Sequence, residues 1–396
     1  MNTQCKSMRN IRILFWTSLF GSINFLEPIM TLFYFERGLS ASEVFWVTFA
    51  WSATVLLFEV PTGAFADRFG PKASFLVGAG IGLLNKVLLL LFPDPIMLYV
   101  YNILWGLSVT FFSGAEEALI YETLKEHKQE QTMSQVLGKI NTAIYYPMIL
   151  TFLFGPIIAR DLEESQFSFL IGFNIVCQAI EFILLLWIVN PHTFEKFRDN
   201  PFAHIKNGWT VISRTPDLVF LFLNFTVIFI AGTVIFGKIE QPLLTENGLP
   251  VEYLGFFYAA LAAAGLFLSH HIGFLTRRFS ARHLLLWTGV GSGISLLVAS
   301  MAPYLFAASL AFVIVRLSRV IRYPIYSQMA NEYIPSQSRS TTLSLLSIAD
   351  SAGDLLLLTI FAGIAHWGIY SVLAGCAVMV LLGSFIPVRS KQSQSH

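Results

Sequence analysis

Long apolar runs recur along this chain, each close to the ~20 residues that cross the hydrocarbon core of a bilayer, with short polar breaks between them. They lie near 11–35, 43–66, 73–92, 96–121, 136–159, 166–189, 217–240, 252–275, 283–302, 304–330, 340–365 and 367–387. The pattern predicts twelve transmembrane helices and an all-α integral membrane protein. Pro93-Asp94-Pro95 and Pro303 mark tight turns on the outer side. Residues 190–216 form the longest polar connection, with Pro191, Pro201 and Pro216 as breakers. Within it Phe202, Ile205, Trp209 and Ile212 share a helical face beside Lys206, which predicts a short helix lying on the inner membrane surface. The chain thus divides into an N-terminal six-helix bundle over 1–190, a cytoplasmic linker over 191–216 and a C-terminal six-helix bundle over 217–396.

Composition agrees with this pattern. The chain is 55% hydrophobic and 12% charged, about half the ~25% charged residues of soluble domains, so its solvent is the lipid bilayer. The net charge of +1 says nothing about partners, but the sequence has no basic tract, so no nucleic-acid partner is expected. The basic residues set the orientation. Of the 25 lysines and arginines, only Arg37 and Arg160 fall on outer loops when the N-terminus is placed inside. Lys86, Lys238, Arg316, Arg319 and Arg322 fall within spans, and all the others sit on inner segments. Both termini are therefore expected in the cytoplasm. The start (Lys6, Arg9, Arg12, then an apolar run) resembles a leader, but no small-residue cleavage site follows, so it reads as a retained first span. Cys5, Cys177 and Cys376 are too dispersed for a disulfide framework or a zinc site. Neither metal nor cofactor is expected.

The stretch Gly63-Ala-Phe-Ala-Asp67-Arg68-Phe-Gly70-Pro-Lys72 joins the second and third runs. A loop this short makes its flanking helices antiparallel neighbours, with glycines for close backbone approach and charges to pin the turn at the membrane face. It resembles the signature loop of the major facilitator superfamily of transporters, G-x-x-x-D-R-x-G-R/K-R/K, with Pro71 in place of the first basic residue. A degraded copy recurs between spans 8 and 9, where Gly273, Arg278, Phe279 and Arg282 keep the spacing of Gly63, Arg68, Phe69 and Lys72. Arg277 stands where the first copy has Asp67. Further residues resemble a bacterial branch of the superfamily: Gly38-Leu39-Ser40 with Glu43, Glu59-x-Pro61-Thr62, Ser113-Gly114-Ala115-Glu116-Glu117 and Gln241-Pro242. The resemblance implies two pseudo-symmetric six-helix bundles and a central cavity lined mainly by spans 1, 4, 7 and 10.

Ionisable groups within spans need partners or water, because each costs at least ~2.5–3.5 kcal/mol at mid-bilayer. Glu27, beside Asn24 and Pro28 in span 1, is expected to carry a proton or contact substrate. Arg316, Arg319 and Arg322 repeat every three residues on one broad face of span 10, and Asp350 and Asp354 share a face of span 11. Their depths overlap, which predicts ion pairs between these spans, with spare positive charge for an anionic group. Arg322 is expected to snorkel to the inner surface. Asp67, Arg68, Lys72, Glu116 and Glu117 are expected to form an inner gate together with Gly63 and Gly70, with Asp67 capping the start of span 11 near 338–340. Lys86 and Glu181 read as snorkelling or a local pair, and Lys238 and Glu240 as solvated. His270 and His271 point about 100° apart and do not suit one metal.

No phosphate-binding loop, nucleophile–base pair or filter-like segment is present, so a primary pump, an enzyme and a channel are disfavoured. The expectation is a secondary active transporter working by alternating access, a monomer in the bacterial inner membrane, coupled to protons. Export of a small amphipathic compound is favoured by the 15% aromatic content and by Gly155-Pro156, which partly matches the antiporter pattern of drug exporters. The alternative is an anionic metabolite or metal-chelating carboxylate, favoured by Arg316 and Arg319. A lipid flippase or a non-transport receptor is the reading from another class.

Overall fold

The computed structural model describes residues 3–113, 115–129, 132–190, 209–335 and 339–389. Its elements are helices throughout. The first half holds α1 (Thr3–Gly21), α2 (Met30–Glu36), α3 (Ala41–Phe69), α4 (Pro71–Leu91), α5 (Pro95–Phe112), α6 (Ala115–Glu126), α7 (Met133–Ile158) and α8 (Glu164–Leu185). A short helix α9 covers 209–214. The second half holds α10 (Pro216–Phe229), α11 (Phe236–Glu246), α12 (Leu254–His270), α13 (Ile272–Arg278), α14 (Ala281–Met301), α15 (Leu305–Tyr333), α16 (Arg339–Ala365) and α17 (Ile369–Ser384). Among the described residues nine helices are long and apolar enough to cross a membrane. α15 misses that standard because it carries three arginines, and α17 because it has 16 residues.

Turn chemistry explains most boundaries. Gly70 sits at φ +87°, a conformation that other residues avoid, and Pro71 opens α4 with its fixed φ. Asp94 caps α5 by accepting from the Met97 amide at 2.9 Å, followed by Pro95. Glu163 and Gln166 form a capping box at the start of α8.

Among the described residues four expected spans are interrupted: span 4 between α5 and α6, span 8 at His271 between α12 and α13, and spans 1 and 7. Span 1 breaks: α1 ends at Gly21, residues 22–26 are irregular, and a 3₁₀ turn (Glu27–Ile29) leads into α2. In span 7 a π turn (Ile230–Ile235) separates α10 from α11, with the Phe236 amide donating to the Ala231 carbonyl.

The chain forms two compact units. The first comprises 1–39, 50–198 and 251–256, the second 40–49, 199–250 and 257–396. In the first, α4 packs on α5 and α8, and α1 packs on α6, α7 and α8. Its core gathers Ile13, Leu14, Phe75, Leu119, Ile120 and Leu185. In the second, α14 packs on α15 and α17, and α10 on the same two helices. Leu218, Leu221, Leu285, Ile325 and Met329 form its core. The linker helix expected over 202–212 lies largely outside the described residues; only its end, with Trp209 and Ile212, is described.

Candidate functional site

A pocket in the second unit gathers most of the unusual chemistry. It is lined by Phe225 and Phe229 of α10, Gly232 of the π turn, Ser292 of α14, and Arg319 and Arg322 of α15. No carboxylate belongs to its described lining. Arg319 lies over the Phe229 ring, 5.1 Å from the centroid, a cation–π contact. Arg322 does not snorkel. Its residue is 2% exposed, and the guanidinium is held on both sides: Nη2 donates to Asn224 Oδ1 at 2.6 Å and to the Asn224 carbonyl at 3.3 Å. Nη1 donates to the Leu285 carbonyl. Its Nε has no hydrogen-bond partner among the described residues. Arg322 faces Gly289 of α14, where a Cβ would lie 3.2 Å from Nη1 and 2.2 Å from Ser384 Oγ. Close helix packing and polar partners thus hold the side chain inside, where long stems near a membrane surface otherwise reach for water.

The expected pairing between Arg316 and the span-11 aspartates is not found. Arg316 of α15 binds Glu240 of α11 in fork geometry, with Nη2 2.5 Å from Oε1 and Nε 3.0 Å from Oε2. The Tyr258 hydroxyl of α12 donates to the same carboxylate at 2.9 Å. Glu240 is therefore not solvated: it is 2% exposed. The segment from Ile239 to Leu244 is buried all round, so position near a span end did not expose it. Asp350 accepts from Thr226 Oγ1 at 2.8 Å. Asp354 Oδ1 is buried with no partner among the described residues. With Arg316 neutralised by Glu240, positive charge at the pocket rests on Arg319 and Arg322.

In the first unit the candidate acid Glu27 is exposed and opens the 3₁₀ turn after the break. Asn24 Nδ2 donates to Glu27 Oε2 at 3.3 Å. Asn174 of α8 stabilises the break: its Nδ2 donates to Asn24 Oδ1 at 3.1 Å and its Oδ1 accepts from the Phe25 amide at 3.3 Å. Gly155 of α7 meets the break from the other side, where a Cβ would stand 2.3 Å from the Phe25 carbonyl. Close packing therefore accounts for this glycine without the antiporter pattern.

The signature loop is held at one end. The Lys72 amide donates to Asn190 Oδ1 at 3.0 Å, and Lys72 Nζ donates to the Leu186 carbonyl at 2.7 Å. A cation thus meets the C-terminal end of α8, where the helix dipole favours it. A Cβ at Gly70 would lie 2.7 Å from Asn190 Nδ2. Gly63 differs: among the described residues nothing lies within 4 Å of its Cβ position, and none of them makes a close approach to it. Arg68 rests over the Phe69 ring at 5.3 Å, and Asp67 is exposed. Residue 338 and the side chains of 339 and 340, the expected cap site for Asp67, and the Glu117 side chain lie outside the described residues. Glu116 lies on α6, near Glu181. His270 ends α12 and His271 precedes α13, with ring centroids 5.3 Å apart, and no cluster suited to a metal occurs among the described residues.

Long apolar helices, with the buried Arg322 and the exposed Arg319 lining one pocket, fit a chain built into a membrane. Residues 14–241, more than half of the chain, match the family model of the Major Facilitator Superfamily, and the chain belongs to that family. It is a secondary transporter, not an enzyme. Over 380 residues it is 23% identical to the uncharacterized MFS-type transporter YxaM of Bacillus subtilis (strain 168), covering 91% of this chain and 90% of the relative. The fold is similar to the crystal structure of the nucleoside transporter NupG, with a TM-score of 0.73, 11% identity and coverage of 97% and 98%. It is also similar to a bacterial homolog of the human lysosomal transporter Spinster, with a TM-score of 0.70, 14% identity and coverage of 98% and 96%. A D-xylose-proton symporter gives 0.68 at 13% identity, with coverage of 95% and 96%.

Proposed function

We propose that the protein is a proton-coupled transporter that exports a small amphipathic organic compound bearing an anionic group, working by alternating access in the bacterial cell membrane with both termini cytoplasmic. The observation that carries the cargo reading is the pocket where Phe225 and Phe229 sit beside Arg319 and Arg322 without a lining carboxylate. Aromatic faces take the apolar body of such a compound, and guanidinium groups take its charge. The uneven distribution of lysine and arginine supports the orientation. Proton coupling is supported by carboxylates placed where one proton changes the local charge: Glu27 at the span-1 break, and Asp350 and Asp354 on α16. Asp67 serves in this reading as part of the inner gate.

The test is uptake into inside-out proteoliposomes under an imposed pH gradient, across matched aromatic carboxylates and their neutral amides. The carboxylates should accumulate and the amides should not. Arg319→Gln should abolish that preference, because it removes the exposed guanidinium that would meet the carboxylate of the cargo. Accumulation indifferent to both the gradient and the carboxylate would refute the proposal.

A further inference from the structure

One buried polar cluster in the first unit lies apart from the pocket, where α4, α8 and the end of α1 meet. Lys86 Nζ of α4 donates to Gln178 Oε1 of α8. Gln178 Nε2 in turn donates to Glu181 Oε2. Gln178 and Glu181 are 7% and 6% exposed. The amine and the acid therefore face each other through a single amide. The carboxylate presses against the end of α1, where a Cβ at Gly21 would stand 2.6 Å from Oε1. Glu116 of α6 is the other acid acting on Glu181, and the Cys177 thiol of α8 lies near Lys86.

The same face of α8 leads to the break in span 1. Asn174, Gln178 and Glu181 follow at helical spacing, so they form one polar row. Asn174 binds Asn24 and the Phe25 amide at the break, and Asn24 binds Glu27. One row thus joins a buried acid–amine pair to the irregular backbone between α1 and α2.

We propose that the Lys86–Gln178–Glu181 cluster is a proton-binding site, and that its occupancy sets the conformation of the break between α1 and α2. Glu181 takes one proton from water on one side of the membrane and releases the same proton on the other. Polarity makes the site two-state. An ionised carboxylate only accepts, and the ammonium of Lys86 only donates, so Gln178 fits between them in one orientation. Oε1 is wedged at Gly21, so the proton lands on Oε2, which becomes a donor. Gln178 must then turn its carbonyl to Glu181 and its NH₂ to Lys86, where two donors meet. That conflict is relieved by movement of α8 against α4 and α1. The inference rests on the proton-coupled reading for its place in the cycle, but proton binding can be tested without any cargo.

The full chain, with Cys5, Cys177 and Cys376 changed to alanine and Ser22→Cys added in the break, is reconstituted in proteoliposomes. Alkylation by N-ethylmaleimide is followed against pH and normalised at each pH to the same cysteine in detergent-unfolded protein. The normalised rate should change about threefold or more in a single one-proton step. Glu181→Gln should flatten it, and Lys86→Gln should displace the midpoint. A step that persists in Glu181→Gln overturns the proposal. Should Glu181→Gln fail to reconstitute, Glu181→Asp carries the test. The carboxyl band in the pH-difference infrared spectrum must then move, and an unmoved band overturns the assignment. Because no cargo is used, failure here leaves the transport proposal standing, and failure of pH-driven uptake leaves this titration intact.

Discussion

Removing Arg316 should destabilise the protein before it affects binding. The carboxylate of Glu240 accepts two guanidinium hydrogen bonds, at 2.5 and 3.0 Å, and one from Tyr258 at 2.9 Å. Its side chain is 3% exposed. In Arg316→Met the acid loses both charge-assisted contacts and keeps the phenol. Breaking a buried pair from one side costs roughly 3–5 kcal/mol. We take the low end, about 3 kcal/mol, because a chain unfolded within the membrane still finds polar partners. Glu240→Gln should cost less, since the amide keeps most of the shape and one hydrogen bond. Combining Arg316→Met with Glu240→Met should recover much of the loss, leaving a coupling energy of about 2 kcal/mol in the double-mutant cycle. The assay is reversible unfolding in mixed micelles, monitored by tryptophan fluorescence, with Tm in detergent as a check. A coupling below about 0.5 kcal/mol would place the pair among weak surface contacts and refute the argument.

Further expectations follow from single contacts. Gly155→Leu should lower Tm and expression, because added atoms would collide with the Phe25 carbonyl 2.3 Å from its Cβ position; overpacking of this kind costs about 1–3 kcal/mol. Gly63→Ala should be neutral or stabilising by up to about 1 kcal/mol, since its surroundings are open and alanine is the better helix former; thermal unfolding decides it. Asn190→Ala should loosen the turn at Gly70–Lys72 and raise hydrogen exchange of the Lys72 amide, which now donates to it at 3.0 Å. Asp67→Asn should cut transport sharply with near-normal expression if the residue belongs to the gate, and unchanged activity would make it an ordinary loop charge.

The helices and their punctuation were largely legible in the sequence, because hydrocarbon length and backbone chemistry act locally. Pro93-Asp94-Pro95 announced a turn and supplied the cap of α5, and Gly70-Pro71 announced the start of α4. The break in span 1 was not legible. Residues 11–35 read as one apolar run, and the irregular segment is held in part by Asn174, about 150 positions away, which no local pattern announces. Charge partners were hidden for a similar reason. Depth placed Arg316 level with the aspartates of span 11, but depth does not say which neighbouring helix a side chain faces. Its partner proved to be Glu240. Lys86 and Glu181 could be read as snorkelling or as a local pair, yet the glutamine between them carried no signal in the sequence.

The π turn at Ile230–Ile235 sets the phase of everything that follows it in span 7. A residue added to a helix rotates the later side chains by about 100°, one step of a 3.6-residue turn. A π turn absorbs such a residue locally, widening one loop of the helix while the rest keeps its pitch. The turn therefore offsets α11 in phase from α10 and decides which neighbour each side chain of the buried segment Ile239–Leu244 meets, Glu240 meeting Arg316. Deleting one residue from the turn would leave a regular, equally apolar helix, but it would turn Glu240 about 100° away from Arg316 within a buried segment. The span would still satisfy every rule for insertion, and the bundle would have lost its buried ion pair. Chain length within this one turn is thus under tighter constraint than the identity of its residues.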